Sequence, residues 1–270
     1  MLMQALYSKL IKDLHQYAKD RQLQRAVLGL SGGLDSTVTL CLAVRAFGPK
    51  NVTVLMLPEN GVTPPEDTEH ARALAAHFGC HSIYQPINNF LVDYQFVPWD
   101  RPESAEDQLK GYVRSTLLRH FADSNQALFL GSANKSDLLL GFGTPEGEFA
   151  GDLQPLGDLY KTEVLEMGHF IGLPEAVLEK IPSRCRKLRA TDEDELGAPW
   201  AQIDDILIQL QNQVDPQSMI DKGMDALTVH RTMRMLQEHQ GRFQKLPILP
   251  TGRNNKSIEK AREAEASSLA

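Results

Sequence analysis

The sequence predicts an α/β fold, a doubly wound parallel sheet followed by extra C-terminal helices. Two observations carry that expectation. Through the first half of the chain, apolar runs of strand length alternate with segments of helical periodicity, the pattern of βαβ units whose sheet is covered on both faces. Past residue 150 the strand signals fade while helical periodicity continues.

The elements follow in order. Leu2, Leu6, Leu10, Leu14 and Ala18 recur every four residues, an amphipathic helical stripe. Ala26 to Leu30 (AVLGL) is an apolar run of strand length that ends in Ser31-Gly32-Gly33, and LDSTVTLCLAVRAF follows as a helix. Asn51 to Leu57 reads as the second strand, and DTEHARALAAHF as a helix capped by Asp67 or Thr68, with Gly79 just past its end. CHSIYQPI is the third strand, EDQLKGYVRSTLLRHFA a long helix, and Gln126 to Gly131 the fourth strand. Crossovers between such strands are right-handed. Further helices are expected over 160–171, 174–180, 202–210 and 224–239. One domain is expected over 1–253, followed by a polar tail at 254–270.

Composition narrows the function classes. A 270-residue chain with 42% hydrophobic residues can bury a large core. A net charge of −7 argues against a broad nucleic-acid-binding face. No run approaches the roughly 18 apolar residues of a membrane span, and the charged first residues are unlike a secretory signal. A soluble cytoplasmic protein is expected. The three cysteines, Cys41, Cys80 and Cys185, form neither a CxxC pair nor a disulfide framework, and the first two sit in apolar patterns that predict burial.

The chemistry is carried by Ser31-Gly32-Gly33-Leu34-Asp35-Ser36, between a strand and a helix. Glycines let consecutive N–H groups turn inward to cradle an anion, and the following helix adds its positive N-terminal end. Ser31 and Ser36 supply hydroxyls, and a carboxylate at Asp35 beside a phosphate cradle makes sense if magnesium bridges the two. The loop lacks the lysine of GxxxxGK[ST] and gains an acid, which suggests grip on the pyrophosphate end of ATP and attack at the α-phosphate. The plain alternative is an ordinary turn, with Asp35 stabilising the helix start. In open parallel sheets sites lie beyond the carboxyl ends of strands where the order reverses, and both this loop and the residues after Leu130 fall at such ends.

S-G-G-x-D-S resembles the fingerprint of PP-loop ATP pyrophosphatases, which implies an adenine nucleotide alpha hydrolase-like fold. Residues 131–180, from GSANKSD through GDLQPLGDLYK to VLEK, are similar to a segment of the ammonia-dependent NAD synthetase family, and the similarity runs from about residue 20 to 210. The resemblance implies that Ser31, Gly32, Gly33, Asp35, Ser36, Ser132, Lys161 and Ser183 bind ATP. Asp35 and Asp137 would hold Mg2+, and Asp35, Lys161 and Glu148 would act in catalysis. Arg114, Asp152 and Glu193, the last within T-D-E-D-E-L-G, would line the substrate site. The implied reaction is adenylation of the nicotinate carboxylate of deamido-NAD with release of pyrophosphate, then attack by ammonia to give the amide and AMP. The chain leaves no room for a glutamine-hydrolysing domain, so free ammonia or a separate partner would supply nitrogen. A homodimer is also implied, covering the apolar faces of the helices around 106–122 and 202–210.

The pattern departs from the family in GFGTPEGEFAGD, where Pro145 and Glu146 replace a lysine-tyrosine pair. It departs also in RCRKLRATDE after Ile181-Pro182-Ser183, in the long helix that offers Lys110, Arg114 and Thr116, and at Phe243-Gln244-Lys245. These departures fall mostly on the substrate side and admit a PP-loop enzyme that adenylates something else. One such alternative is a sulfur transferase using Cys185, which stands among the five basic residues of 180–189. The glycines and proline of 143–150 suggest a mobile loop.

Overall fold

The computed structural model describes residues 3–180, 191–239 and 246–253. Ser183, Cys185, most of the basic run, Phe243 to Lys245 and the tail at 254–270 lie outside the described residues.

Four parallel strands, β1 (Arg25–Gly29), β2 (Val52–Met56), β3 (His81–Tyr84) and β4 (Ala127–Leu130), lie in the order β3-β2-β1-β4. The helices are α1 (Met3–Asp20), α2 (Leu34–Phe47), α3 (Pro65–Phe78), α4 (Asn88–Leu91), α5 (Glu103–Asn125), α6 (Lys135–Leu140), α7 (Lys161–Ile171), α8 (Glu175–Leu178), α9 (Asp192–Leu196), α10 (Trp200–Gln211), α11 (Pro216–Asp221) and α12 (Ala226–His239). Strand side chains alternate between two cores, which is why both faces must be covered. Ala26, Leu28, Val52, Val54, Leu128 and Leu130 join the α1 stripe Leu6, Leu10 and Leu14 and residues of α2, α3 and α7 on one face. Val27, Leu55, Ala127 and Phe129 pack with Val113, Leu118 and Ala122 of α5 on the other. The sheet is therefore wound both ways from β1, and its order reverses between β1 and β4. Parallel bridges Leu130 to Leu153 and Gln154 to Ile248 carry a rudimentary ladder past β4.

Several boundaries differ from expectation for identifiable reasons. β3 stops at Tyr84, shortly before Pro86, which has no N–H to give the ladder. α3 begins at Pro65, a first-turn proline, rather than being capped by Asp67 or Thr68. That leaves the Asp67 carboxylate to pair with Lys180 at 2.7 Å. Cys41 is buried as expected, but Cys80 is only half-buried. The 143–150 segment is packed, with Thr144, Gly147 and Phe149 buried and Phe149 N–H donating to the Thr144 carbonyl at 3.0 Å. The apolar face of α10 is also already covered: Ile203, Ile206, Leu207 and Ile208 are buried within the chain.

Candidate active site

The loop after β1 is folded by its own hydroxyls. Ser31 and Ser36 Oγ lie 3.0 Å apart, Ser36 Oγ donates to the Gly33 carbonyl at 3.0 Å, and Thr37 Oγ1 donates to the same carbonyl at 2.8 Å. Gly33 caps α2 without a side chain, so the first-turn N–H groups have no side-chain cap of their own. Gly32 has φ of +74°, and a Cβ there would stand 2.7 Å from the Asp67 carbonyl oxygen, so only glycine fits.

Across the order reversal, the residues after β4 turn into α6. Asn134, fully buried, caps α6 by accepting the Asp137 N–H at 3.0 Å. Its Nδ2 donates to two carboxylates at once, Asp35 Oδ1 at 3.0 Å and Asp137 Oδ2 at 2.6 Å. Lys161, the first residue of α7, is 6% exposed and places Nζ on Asp35 Oδ2. Burial alone would push the Lys161 ammonium down. The charges of Asp35 and Asp137, the hydrogen bond to Asp35 and the charge of Asp192 outweigh that and hold it above the ordinary lysine range. Nζ also stands 5.7 Å from the centroid of the Trp200 ring, itself edge-on to Phe142. Asp35, Asp137 and Lys161, separated by up to 126 positions in sequence, are thus one polar cluster at the mouth of the phosphate-type loop.

Other residues singled out by the sequence are placed differently. Ser132 is half-buried in the turn after β4. Glu148 is exposed, accepts weakly from Thr144 N–H at 3.3 Å and lies over Gly111 of α5, where a Cβ would come within 2.6 Å of its Oε1. Among the described residues no hydrogen bond or ion pair joins it to the Asp35 cluster. The Asp152 carboxylate clamps the sheet edge, accepting Arg119 Nη2 at 2.7 Å and the Phe129 N–H at 2.9 Å. Both its oxygens are engaged within the chain. Arg114 Nε donates to the Leu57 carbonyl at 3.0 Å, one turn from Lys110, which pairs with Glu59 at 2.9 Å. Both therefore reach the carboxyl end of β2. Glu193 accepts the Trp200 N–H at 3.0 Å, while its neighbour Asp192, not Glu193, faces Lys161. An open cavity of about 260 Å³, lined by Ser115, Thr116, Arg119, Phe129, Glu146 and Ala150, lies on the α5 side of the sheet, away from the Asp35 cluster.

Sequence reading missed Asn134 and two supports, and it named Asp192 only within the block that carries Glu193, not as a charge acting on Lys161. Gln154, fully buried, accepts the Ala133 N–H at 3.0 Å and donates to the Phe149 carbonyl at 2.7 Å. It fills the space a Cβ at Gly131 would need, which fixes the turn carrying Ser132. Asp204 of α10 accepts from Ser136 and Thr162.

The family model described as NAD synthase matches residues 6–245. The chain belongs to the NAD synthase family. The NH3-dependent NAD+ synthetase of Methanocaldococcus jannaschii is 35% identical over 209 residues, 76% of this chain and 80% of that protein. The structure of NMN synthetase from Francisella tularensis superposes with a TM-score of 0.77 at 25% identity, over 93% of this chain and 99% of that one. The NH3-dependent NAD synthetase from Campylobacter jejuni, in complex with nitrate, gives 0.76 at 25% identity over 93% and 100%. Membership in the NAD synthase family covers both halves of the cluster, the loop after β1 and the segment from α6 to α7.

Proposed function

We propose that this chain is a carbon–nitrogen ligase that amidates deamido-NAD with ammonia at the expense of ATP. One observation carries the reading: Asp35, Asp137 and Lys161 meet beside a glycine loop whose helix N-terminus has no side-chain cap. A nicotinate carboxylate oxygen attacks the α-phosphorus, the bond to the bridging oxygen breaks, and pyrophosphate leaves with that electron pair. Ammonia then attacks the acyl carbon, AMP leaves, and the nitrogen loses a proton to give the amide. The backbone N–H groups of the loop, with Ser31 and Ser36, take the departing phosphates. Lys161 neutralises charge that develops as pyrophosphate departs.

Among the described residues no cluster of three or more His, Cys, Asp or Glu side chains stands ready to hold a metal. The two carboxylates that share Asn134 Nδ2 nevertheless suit Mg2+, which is commonly held by one or two carboxylates plus phosphate oxygens. Asp35 and Asp137 would hold it, and its charge would draw the phosphates onto the loop. Glu148, assigned to catalysis, reaches its own loop at Thr144 N–H; Arg114, Asp152 and Glu193 are assigned to the acceptor side, and Asp152 and Glu193 also serve the chain's own backbone.

The sulfur-transfer alternative gains nothing from the described thiols: burial pushes Cys41 up to about 12 and Cys80 to about 11, both unreactive. A cytoplasmic location remains part of the proposal; no described helix is long and apolar enough to cross a membrane. The proposed homodimer has a better surface than the helix faces first considered. Phe90, Val92, Tyr94, Phe96 and Trp99 are all exposed within ten residues, Phe96 at 78%. A dimer that uses this face dissociates when Phe96 and Trp99 become glutamate, as read by light scattering.

The deciding experiment follows pyrophosphate and amide product together, from Mg-ATP and ammonia, with deamido-NAD, with its mononucleotide counterpart or with neither. Stoichiometric NAD and pyrophosphate are expected. Amide formed only from the mononucleotide moves the acceptor, and no acceptor-dependent pyrophosphate overturns the ligase reading. Cys185→Ser retains full rate in the amidation and loses it in a sulfur transfer.

A further inference from the structure

Asp204 is a charged residue with no solvent exposure, on a helix that otherwise contributes apolar side chains to its neighbours. Its position is the reason. In α10 the inward register is Trp200, Ile203, Asp204, Ile206 and Leu207, so the carboxylate projects into the seam between α6 and α7. Oδ1 accepts from Ser136 Oγ, in the first turn of α6. Oδ2 accepts from Thr162 N–H and Thr162 Oγ1, both at 2.8 Å, in the first turn of α7. Ser136 Oγ in turn accepts the backbone N–H of Lys161 at 2.9 Å.

One carboxylate therefore closes a relay: Asp204 to Ser136, Ser136 to the main chain of Lys161, and Asp204 again to Thr162. Ser136 stands between Asn134 and Asp137, the residues that hold one side of the polar cluster. Lys161 is the other side. Neither helix fixes this relation alone. α6 spans six residues; at α7, Glu163 caps locally by accepting the Tyr160 N–H at 2.9 Å, but the N–H groups of Lys161 and Thr162 are taken by Ser136 and Asp204 from outside the helix. The helix dipole disfavours a lysine at this end of α7, so the place of Nζ depends on how the first turn is anchored.

We infer that Asp204 is a positioning residue for the adenylation step: through Ser136 and Thr162 it sets Lys161 and Asp137 at the separation the leaving pyrophosphate requires. The inference deepens the ligase reading and rests on it. Asp204 touches no reacting atom. Its replacement should slow the chemical step and leave nucleotide binding, which the loop after β1 provides, nearly unchanged. A misplacement of an ångström or less is worth about 10- to 100-fold in rate.

The test compares Asp204→Asn, Ser136→Ala and the double variant, with Asp205→Asn as the neighbouring control. Asp205 contacts Gln209 at 3.3 Å and lies outside the relay. Expected in Asp204→Asn is a fall of about tenfold or more in kcat for pyrophosphate release, with KM for Mg-ATP within about twofold. Ser136→Ala shows a defect of the same kind. The double variant is no worse than the more damaged single, because both substitutions cut one relay. Amide hydrogen exchange at Lys161 and Thr162 accelerates in Asp204→Asn while that of β4 is unchanged.

A variant that loses thermal stability but keeps kcat at 25 °C and native exchange at Lys161 refutes the inference. So do fully additive rate losses. If the wild type forms no amide from deamido-NAD, the ligase reading is what fails. The exchange measurement then still decides whether Asp204 anchors the first turn of α7.

Discussion

Replacing Asp35 by asparagine removes one charge from the cluster and leaves Lys161 buried. The side chains of Lys161 and Asp35 are 8% and 22% exposed. Breaking a buried pair by removing one partner costs about 3–5 kcal/mol. Partial access of water to Asp35 lowers that to about 2–3 kcal/mol. Asp137 and Asp192 still attract Lys161, which keeps the loss at the lower end. In a chain of this size each kcal/mol moves Tm by about 2–4 °C, so Asp35→Asn should melt about 4–12 °C below wild type.

Lys161→Met is the complementary change. It frees Asp35, which retains Asn134 Nδ2 and some access to water, so the loss is smaller. The double variant Asp35→Asn/Lys161→Met carries neither charge and should recover most of the stability lost by Asp35→Asn, while pyrophosphate release stays at least about 100-fold down in all three. Thermal unfolding and steady-state pyrophosphate release are measured on the same preparations. Additive losses of Tm would refute the coupling of the pair, and near-normal turnover in Lys161→Met would refute its role in adenylation.

Three further outcomes follow. Gly32→Ala forces a Cβ to 2.7 Å from the Asp67 carbonyl in a left-handed backbone, so it should cost about 1–2 kcal/mol in unfolding and more in turnover, both measurable in one melt and one rate. Asp152→Asn weakens its bonds to Arg119 and Phe129 N–H; a loss of about 1–3 kcal/mol with kcat and acceptor KM within threefold marks a sheet-edge clamp, whereas a large rise in acceptor KM restores the substrate role. The pH dependence has two limbs. Lys161 titrates above its unfolded value of 10.5, so its contribution is fully present below that pH and disappears as pH rises through the folded value. Asp194 and Asp225, lowered from 3.8 by bonds from Thr191 and Thr228, contribute above that value and lose it as pH falls through the folded one. Denaturant midpoints across pH should show the alkaline limb weaken in Lys161→Met.

Legibility in the sequence followed locality. β1, the serine-glycine turn and α2 were plain because each carries its own signal: an apolar run, glycines where the chain must bend left-handed, and a continuous helical pattern. Asp35 was read from that loop itself, whereas Asp137 and Lys161 came from the family resemblance of residues 131–180; the order reversal between β1 and β4 brings the three together. Helix α6 went unread because six residues give no periodicity. Its cap was nevertheless present, an asparagine three positions before Asp137 and an apolar run. Asp204 also left a trace. It falls between Ile203 and Leu207 and four residues after Trp200, on the buried stripe, where an acid without a partner would be costly. Asp152 shows the limit of such reading: a single aspartate after a glycine does not distinguish a ligand-facing turn from one whose carboxylate also closes the edge of β4.

The resting arrangement of the cluster bears on how it works. Asp35 is engaged twice, by Asn134 at Oδ1 and Lys161 at Oδ2. Any group that takes an Asp35 oxygen must therefore displace an amide or an ammonium. A divalent cation cannot share an oxygen with Lys161 at no cost, since like charges would meet in a poorly solvated place. A phosphate brought onto the loop would offer Lys161 another anion, and Asp35, once the ammonium turned away, would be the residue to hold a cation. On this argument the Asp35–Lys161 pair is the state to be broken by substrate rather than the state that reacts. Lys161→Arg should then fail despite its charge, because a planar fork in this confined position would hold the carboxylate bidentately and resist the transfer.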